Sequence, residues 1–297
     1  MASTSNNIVS ASKTAYRRLG VYSSSIRIWE SLFALPFAYM GMILATQSWP
    51  GFEIFIWITA AMFGARTLAM SANRLINAKE DALNPRTQNR HMPQGILNSK
   101  EVLAMMGIGL TIFLISASQL NTLALVLAPI TAVYITLYSF AKYYTWACNF
   151  ILGIALSIAP AGAWIGVVGQ IEWQAALLSA AVALWAGGFD IIYACTDYDF
   201  DKQNGINSVP ARFGISGALK IVRVMHFFSA ILLLILAIVL SLGYFFYIGW
   251  FIAVILLIYE NRLVRPNDLS KVGIAFFRVN SYISIQLLIF TSLSIIF

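Results

Sequence analysis

Nine apolar runs, each roughly 20 residues long and set off by polar breaks, leave this chain few folds to choose from. Their approximate limits are 29–47, 52–75, 101–118, 120–140, 146–168, 173–195, 219–241, 244–261 and 276–296. A run of this length spans the hydrocarbon core as a helix, which satisfies its own backbone groups where no water can. The shorter alternating segments of an outer-membrane barrel are missing. Composition agrees: 60% of the 297 residues are hydrophobic and only 10% are charged, against about 25% charged in a soluble domain. The predicted fold class is all-α, an integral membrane protein with nine transmembrane helices.

The breaks are of two kinds. SWPG at 48–51, the Gln119–Asn121 region, GQIE at 169–172 and LGY at 242–244 are short, and the only charges in or beside them are Glu53, just past the first, and Glu172. The N-terminal stretch, 74–100, the 142 region, 197–223 and 262–278 are longer and hold the Lys and Arg residues, together with the helix ends that face them. By the positive-inside rule the basic side is cytoplasmic, and an odd number of spans places Phe297 opposite. The formal charge of +7 then reflects topology and a site for anions, and no nucleic-acid partner is expected. MASTSNNIVSASK is Ser-rich and lacks the apolar core of a cleavable signal peptide. Residues 1–25 are expected to form a disordered cytoplasmic tail, and 26–297 a single transmembrane domain. Cys148 and Cys195 both fall in or beside apolar segments, so no disulfide framework is indicated. A small core residue is the favoured role for Cys195.

Two polar islands interrupt the apolar pattern. The first, Asn73 to His91, places Asn73, Asn77 and Asp81 at i, i+4 and i+8, one face of a helix. The second, Asp190 to Asp201, places Asp190, Asp197 and Asp201 at i, i+7 and i+11, with Asp199 beside them. Each island ends a helix and leads into a loop with Gly, Pro and Arg, about 120 residues apart, which suggests a pseudo-repeat with a site at its interface. Carboxylates at the membrane interior cost several kcal/mol unless paired or coordinated. Mg²⁺ is held by a few carboxylates and completes its shell with water and substrate phosphate. Arg86, Arg90, Lys142 and Lys202 suit the phosphate oxygens left over. Such a clamp stabilises a departing diphosphate. A lone polar residue at a helix end is more often just solvated; two paired stripes favour function. An ion-coupled transporter also needs intramembrane acids, but these acids gather at one face, and a conduction path needs polar groups across the depth. A non-catalytic lipid-binding membrane protein is the other alternative.

At these residues the sequence resembles the UbiA superfamily of intramembrane prenyltransferases, over nearly the whole chain. The family's first motif, N-x-x-x-D-x-x-x-D, is similar to Asn73, Asn77 and Asp81. Its second, D-x-x-Y-x-x-x-D-x-x-x-D, is matched in full by Asp190, Tyr193, Asp197 and Asp201. LFALPFAYMGM, ALNPRTQNR, YSFAKYYTW and VPARFG resemble the bacterial branch acting on 4-hydroxybenzoate and related quinone precursors. LVRPNDLS and AFFRVN lean towards the enzymes that prenylate 1,4-dihydroxy-6-naphthoate in menaquinone synthesis. Two positions depart from the pattern. Asn77 puts a neutral amide where the family has an acid, and Lys142-Tyr143 stands where the family often has Lys-Arg.

The resemblance implies a nine-helix UbiA-type bundle in the bacterial inner (plasma) membrane, with its active-site loops cytoplasmic. It implies Mg²⁺-dependent transfer of a polyprenyl group from polyprenyl diphosphate to an aromatic acid in ubiquinone or menaquinone biosynthesis. Asn73, Asn77 and Asp81 are then expected to hold one Mg²⁺, and Asp197 and Asp201 the other. Asp190 is expected to orient its neighbours or help take the ring proton, and Tyr193 to border the cation. Arg66, seven residues before Asn73, is expected to pair with the acceptor carboxylate, an interfacial anchor being the equal alternative. Arg86, Arg90, Lys142 and Lys202 are the diphosphate contacts, and membrane lipid flanks an apolar groove for the tail.

Overall fold

The computed structural model describes Arg18, residues 20–27 and residues 31–297. Among these, eight helices are long and apolar enough to cross a membrane, and a ninth, shorter apolar helix precedes them. The helices are α1 (Ser31–Thr46), α2 (Phe52–Ile76), α3 (Ala78–Leu83), α4 (Ser99–Leu120), α5 (Thr122–Leu137), α6 (Ala141–Tyr144) and α7 (Cys148–Val168). Then follow α8 (Trp173–Ala194), α9 (Tyr198–Asn204), α10 (Val209–Val239), α11 (Tyr244–Leu263) and α12 (Asn280–Ile296), the last entered through a π-helical turn, Ile274–Val279. The nine expected spans correspond to α1, α2, α4, α5, α7, α8, α10, α11 and α12.

Local chemistry sets the helix ends. Asn98 and Glu101 form a capping box that starts α4, which satisfies two otherwise orphaned N–H groups. Asn121 caps α5 by accepting from Ala124 N at 2.9 Å. Gly205, at φ +67°, closes α9 in the left-handed conformation that glycine adopts without penalty.

One boundary differs from expectation. The sequence predicts the seventh span at 219–241, yet α10 begins at Val209. Ser208 caps it and Pro210 lies in its first turn, where a missing N–H costs nothing. The helix then passes a kink at Gly214, φ 70° and ψ 164°. The VPARFG stretch is therefore helix with a glycine break.

The expected tail, 1–25, lies outside the described residues over 1–17 and at 19. Its described end departs from the expectation, because 20–25 are helical. Arg18 pairs with Glu101 at 3.0 Å and Ile26 is buried, so this end is held against the start of α4.

α2 packs chiefly on α4, and α8 on α7 and α10; α1 lies against α7 and α12. The α2–loop–α4 and α8–loop–α10 units thus share one plan, and each loop carries a polar island. Close backbone approach drives the packing, as expected where lipid removes the hydrophobic difference between helix and surroundings. A Cβ on Gly64 would lie 2.7 Å from Gly109 O, and one on Gly109 would lie 2.9 Å from Gly64 O. The core centres on Phe37, Trp164, Trp185 and Phe246. Large apolar residues such as Ile108, Val126, Val133, Phe227 and Phe251 are exposed outward, which suits contact with lipid.

Candidate active site

Both polar islands come together at one end of the bundle. In the first, α2 ends at Ile76 and α3 restarts at Ala78, so the stripe does not ride on one unbroken helix. Asn77 sits at the break with φ −94° and ψ 10°. The i→i+4 bonding nevertheless carries on, with Asn77 N to Asn73 O at 3.1 Å and Asp81 N to Asn77 O at 2.8 Å. This keeps the three side chains in register. The second island is interrupted likewise: Asp190 lies one turn before the end of α8 at Ala194, Asp197 lies in a 3₁₀ turn, Cys195–Asp197, and Asp201 is on α9.

Each polar side chain has a specific partner. Asn73 Nδ2 donates to Ser139 Oγ at 3.1 Å. Asn77, buried, accepts at Oδ1 from the Tyr143 hydroxyl at 2.9 Å. Arg90 Nη1 bonds both Asp81 oxygens at 2.7 and 2.8 Å. Arg86 joins the islands: Nε and Nη2 grip Asp197 at 2.8 and 2.5 Å, and Nη1 donates to the Tyr193 hydroxyl at 2.8 Å. Asn84 Nδ2 adds a third bond to Asp197 at 2.9 Å. Ser208 donates to Asp201 Oδ2 at 2.9 Å, and Asn149 Nδ2 to Asp190 Oδ2 at 2.7 Å. Lys142 and Lys202 lie over neighbouring rings, 5.2 Å from Tyr143 and 5.7 Å from Tyr198. Arg66 Nη2 donates to Arg27 O at 2.7 Å.

Burial alone would ease the proton off Arg86. The hydrogen bond and charge of Asp197, with help from Tyr193 and Asp81, outweigh it, so the Arg86 pKa stands above its ordinary value. His91 shifts the other way, pushed down by burial and by the Arg74 charge.

Beneath the polar layer lies a cavity of about 510 Å³, within the range of ligand pockets. Arg66, Asn73, Arg90, Asp190 and Tyr193 line its polar end, while Asn77, Asp81, Arg86, Asp197 and Asp201 belong to the layer above. From Asn73 the wall follows α2 down to Ile58, about 22 Å at 1.5 Å per residue. Small residues such as Ala65, Ala128, Ala159 and Gly162 leave that depth open and apolar.

Residues beyond the sequence reading also matter. Asn84 and Asn149 reach the second aspartate motif directly, Tyr143 reaches the first, and Arg27 and Arg74 join the cavity wall. Asn84 stands inside the ALNPRTQNR phrase; Asn149, in ACNF, carries no local signal. Cys195 is buried, its Sγ turned to Ile191 O, as a core residue would be.

Among the described residues no three His, Cys, Asp or Glu side chains converge as a metal-holding group. The donor set still fits a hard cation. The candidate ligands are carboxylate and amide oxygens, three from the first island and two from the second, few enough to leave coordination sites for phosphate, which is how Mg²⁺ is held rather than in an all-protein cage.

Residues 34–282 match the UbiA prenyltransferase family. The chain is 27% identical over 267 residues to a protein of Vibrio campbellii named 4-hydroxybenzoate octaprenyltransferase, covering 90% of each. It is 28% identical over 274 residues to the protein of that name from Aliivibrio fischeri, covering 92% of each. Its structure superposes on a UbiA homolog from Aeropyrum pernix K1 in the apo state, with TM-score 0.80 at 29% identity, covering 87% of this chain and 95% of that one. A UbiA homolog from Archaeoglobus fulgidus bound to DMAPP and Mg²⁺ shares the fold, with TM-score 0.66 at 18% identity, covering 90% and 98%. An all-helical membrane bundle with two facing polar islands over an apolar cavity is thus joined to a match across most of its length: the chain belongs to the UbiA prenyltransferase family.

Proposed function

We propose that this enzyme transfers a polyprenyl group from its diphosphate to a ring carbon of an aromatic acid, with 4-hydroxybenzoate the favoured acceptor and 1,4-dihydroxy-6-naphthoate the competing one. The observation that carries the reading is the joint between the islands: Arg86 and Asn84, from the first loop, both grip Asp197 of the second motif above the cavity's polar end. The names of the relatives from Vibrio campbellii and Aliivibrio fischeri support the benzoate. The transporter alternative fits a prenyltransferase family poorly.

In this reading Asn73, Asn77, Asp81, Asp197 and Asp201 hold Mg²⁺, which when bound supplies neutralisation of the diphosphate charge. Arg86, Arg90, Lys142 and Lys202 take phosphate oxygens, Arg86 best equipped because its planar fork already makes bidentate contact with a carboxylate. The C–O bond of the donor breaks with its electron pair leaving on the diphosphate. The prenyl tail lies in the apolar cavity. Arg66 pairs with the acceptor carboxylate, Tyr193 borders the allylic cation, and Asp190, oriented by Asn149, receives the ring proton. Residues 26–297 act as one domain in the inner membrane, with the polar layer on the cytoplasmic side.

The test is a transfer assay on purified protein with geranyl diphosphate and Mg²⁺, offering each acceptor separately. The expected result is prenylated benzoate, lost on chelation and in Asp197→Ala and Asp201→Ala. Product from the naphthoate alone would move the acceptor to the other branch. Turnover that survives both substitutions would overturn the site assignment.

A further inference from the structure

The last two helices contain a buried carboxyl that the chemistry above does not use. Glu260 on α11 and Asn280 at the start of α12 are both fully buried, at 0% exposure. Asn280 Nδ2 donates to Glu260 Oε1 at 2.8 Å, to Ala275 O at 3.0 Å and to Phe276 O at 3.2 Å. Both carbonyls belong to the π-helical turn Ile274–Val279. A π turn disturbs the regular carbonyl ladder and is common at functional sites. An ionisable group inside a membrane bundle is expensive and marks a function by default. Here the carboxyl anchors the amide that clasps the π turn.

That turn sets the position of Phe276. Its ring stacks on Tyr193 with centroids 4.3 Å apart and planes 28° apart, and meets Phe189 edge-on at 5.2 Å. Phe276, Tyr193 and Phe189 all line the polar end of the cavity with Asp190. Tyr193 in turn lies 4.8 Å beneath the Arg86 guanidinium. Direct contacts therefore run unbroken from Glu260 to the aromatic wall beside Asp190.

We propose that Glu260 and Asn280 are positioning residues. They lock the π turn so that Phe276, backed on Tyr193, closes the reacting end of the cavity against water. The inference rests on the prenyl-transfer reading. Once the C–O bond of the donor has broken, the allylic cation has two fates. A ring carbon attacks, forming a C–C bond while the ring gives up a proton; or water attacks, forming a C–O bond and releasing a proton, which yields the prenyl alcohol. A fixed wall favours the first fate.

The experiment measures prenylated acceptor and prenyl alcohol together for wild type, Asn280→Ala, Glu260→Ala, Glu260→Gln and Phe276→Ala. The alanine variants are expected to raise the alcohol-to-product ratio about three- to tenfold, the factor that one aromatic contact is worth. Glu260→Gln, whose amide oxygen still accepts from Asn280, is expected to bring the ratio back towards wild type. If the single alanine variants fail to fold, the double variant Glu260→Met/Asn280→Leu, which removes both partners without leaving either buried group unsatisfied, carries the test of the pair, and Phe276→Ala that of the wall. Lower turnover at an unchanged ratio, in whichever variants fold, overturns the proposal, since loss of fold slows both fates alike. A wild type that makes alcohol but no prenylated acceptor overturns the proposed function, and this inference with it.

Discussion

Asn77 and Tyr143, separately noted as departures from the family pattern, are hydrogen-bonded to each other at 2.9 Å. An acid and an arginine at these positions would form an ion pair; an amide and a phenol form a neutral bond, and the net charge of the site is the same. The two positions should therefore be coupled, and a double-mutant cycle with Asn77→Asp and Tyr143→Arg tests it. Asn77→Asp alone creates a carboxylate at a site only 4% exposed. It lies one turn from Asp81, where two charges ~6 Å apart repel by about 3 kcal/mol at an effective dielectric of 20. Charging the acceptor strengthens the Tyr143 bond by about 1 kcal/mol, so the single variant should lose roughly 2 kcal/mol before any desolvation cost. With Arg at 143, an opposite charge ~4 Å away returns up to about 4 kcal/mol. The cycle should give a coupling of about 2 kcal/mol in favour of the double variant, read from reversible unfolding in mixed micelles. Separately, the half-saturating Mg²⁺ concentration for turnover should fall in Asn77→Asp, because an anionic oxygen replaces a neutral one. Additivity within about 0.5 kcal/mol would refute the pairing, and an unmoved Mg²⁺ requirement would remove position 77 from the ligand set.

Other substitutions probe separate parts of the site. Arg86→Lys keeps the charge but loses the fork across Asp197 and the bond to Tyr193; kcat/KM should fall about 10- to 100-fold, and a drop under threefold would mean charge alone suffices. Asn149→Ala removes the donor to Asp190 and the acceptor of Val209 N, costing about 1–3 kcal/mol of stability; a variant that keeps full stability and turnover would contradict this bridging role. Gly109→Ala forces a Cβ to within 2.9 Å of Gly64 O, whereas one at Gly107 meets nothing within 4 Å. The first should destabilise by about 1–3 kcal/mol and the second should be neutral or slightly stabilising; equal effects would remove the α2–α4 backbone contact as a packing determinant.

The spans were legible because lipid imposes a one-dimensional rule: about 20 apolar residues per helix. Eight of the nine long apolar runs become helices with ends within a few residues of those expected. The miss at α10 is instructive, since Pro210 and Gly214 read as loop when taken singly. Pro in a first turn and Gly at a kink are both compatible with a helix, and packing against α8 decided between the two readings. The acidic stripes were legible through their spacing. Their partners were not: Tyr143 lies 66 positions from Asn77, Arg86 lies 111 from Asp197, and Asn149 lies 41 from Asp190. No local periodicity reports such pairs.

By itself, then, the sequence determined that this chain is a helical membrane protein, where all but one of its spanning helices begin and end to within a few residues, and which side chains gather at one face. Those properties follow from hydropathy and from the i, i+4 geometry of a helix, and both are local. Tertiary structure alone decided that Arg86 of one island neutralises Asp197 of the other, that the departures at 77 and 143 meet, and that a π turn bonded to Asn280, itself paired with Glu260, brings Phe276 to the cavity wall with Asp190. Each of these depends on distances between helices remote in sequence, and those distances are set by how close small residues let the backbones come.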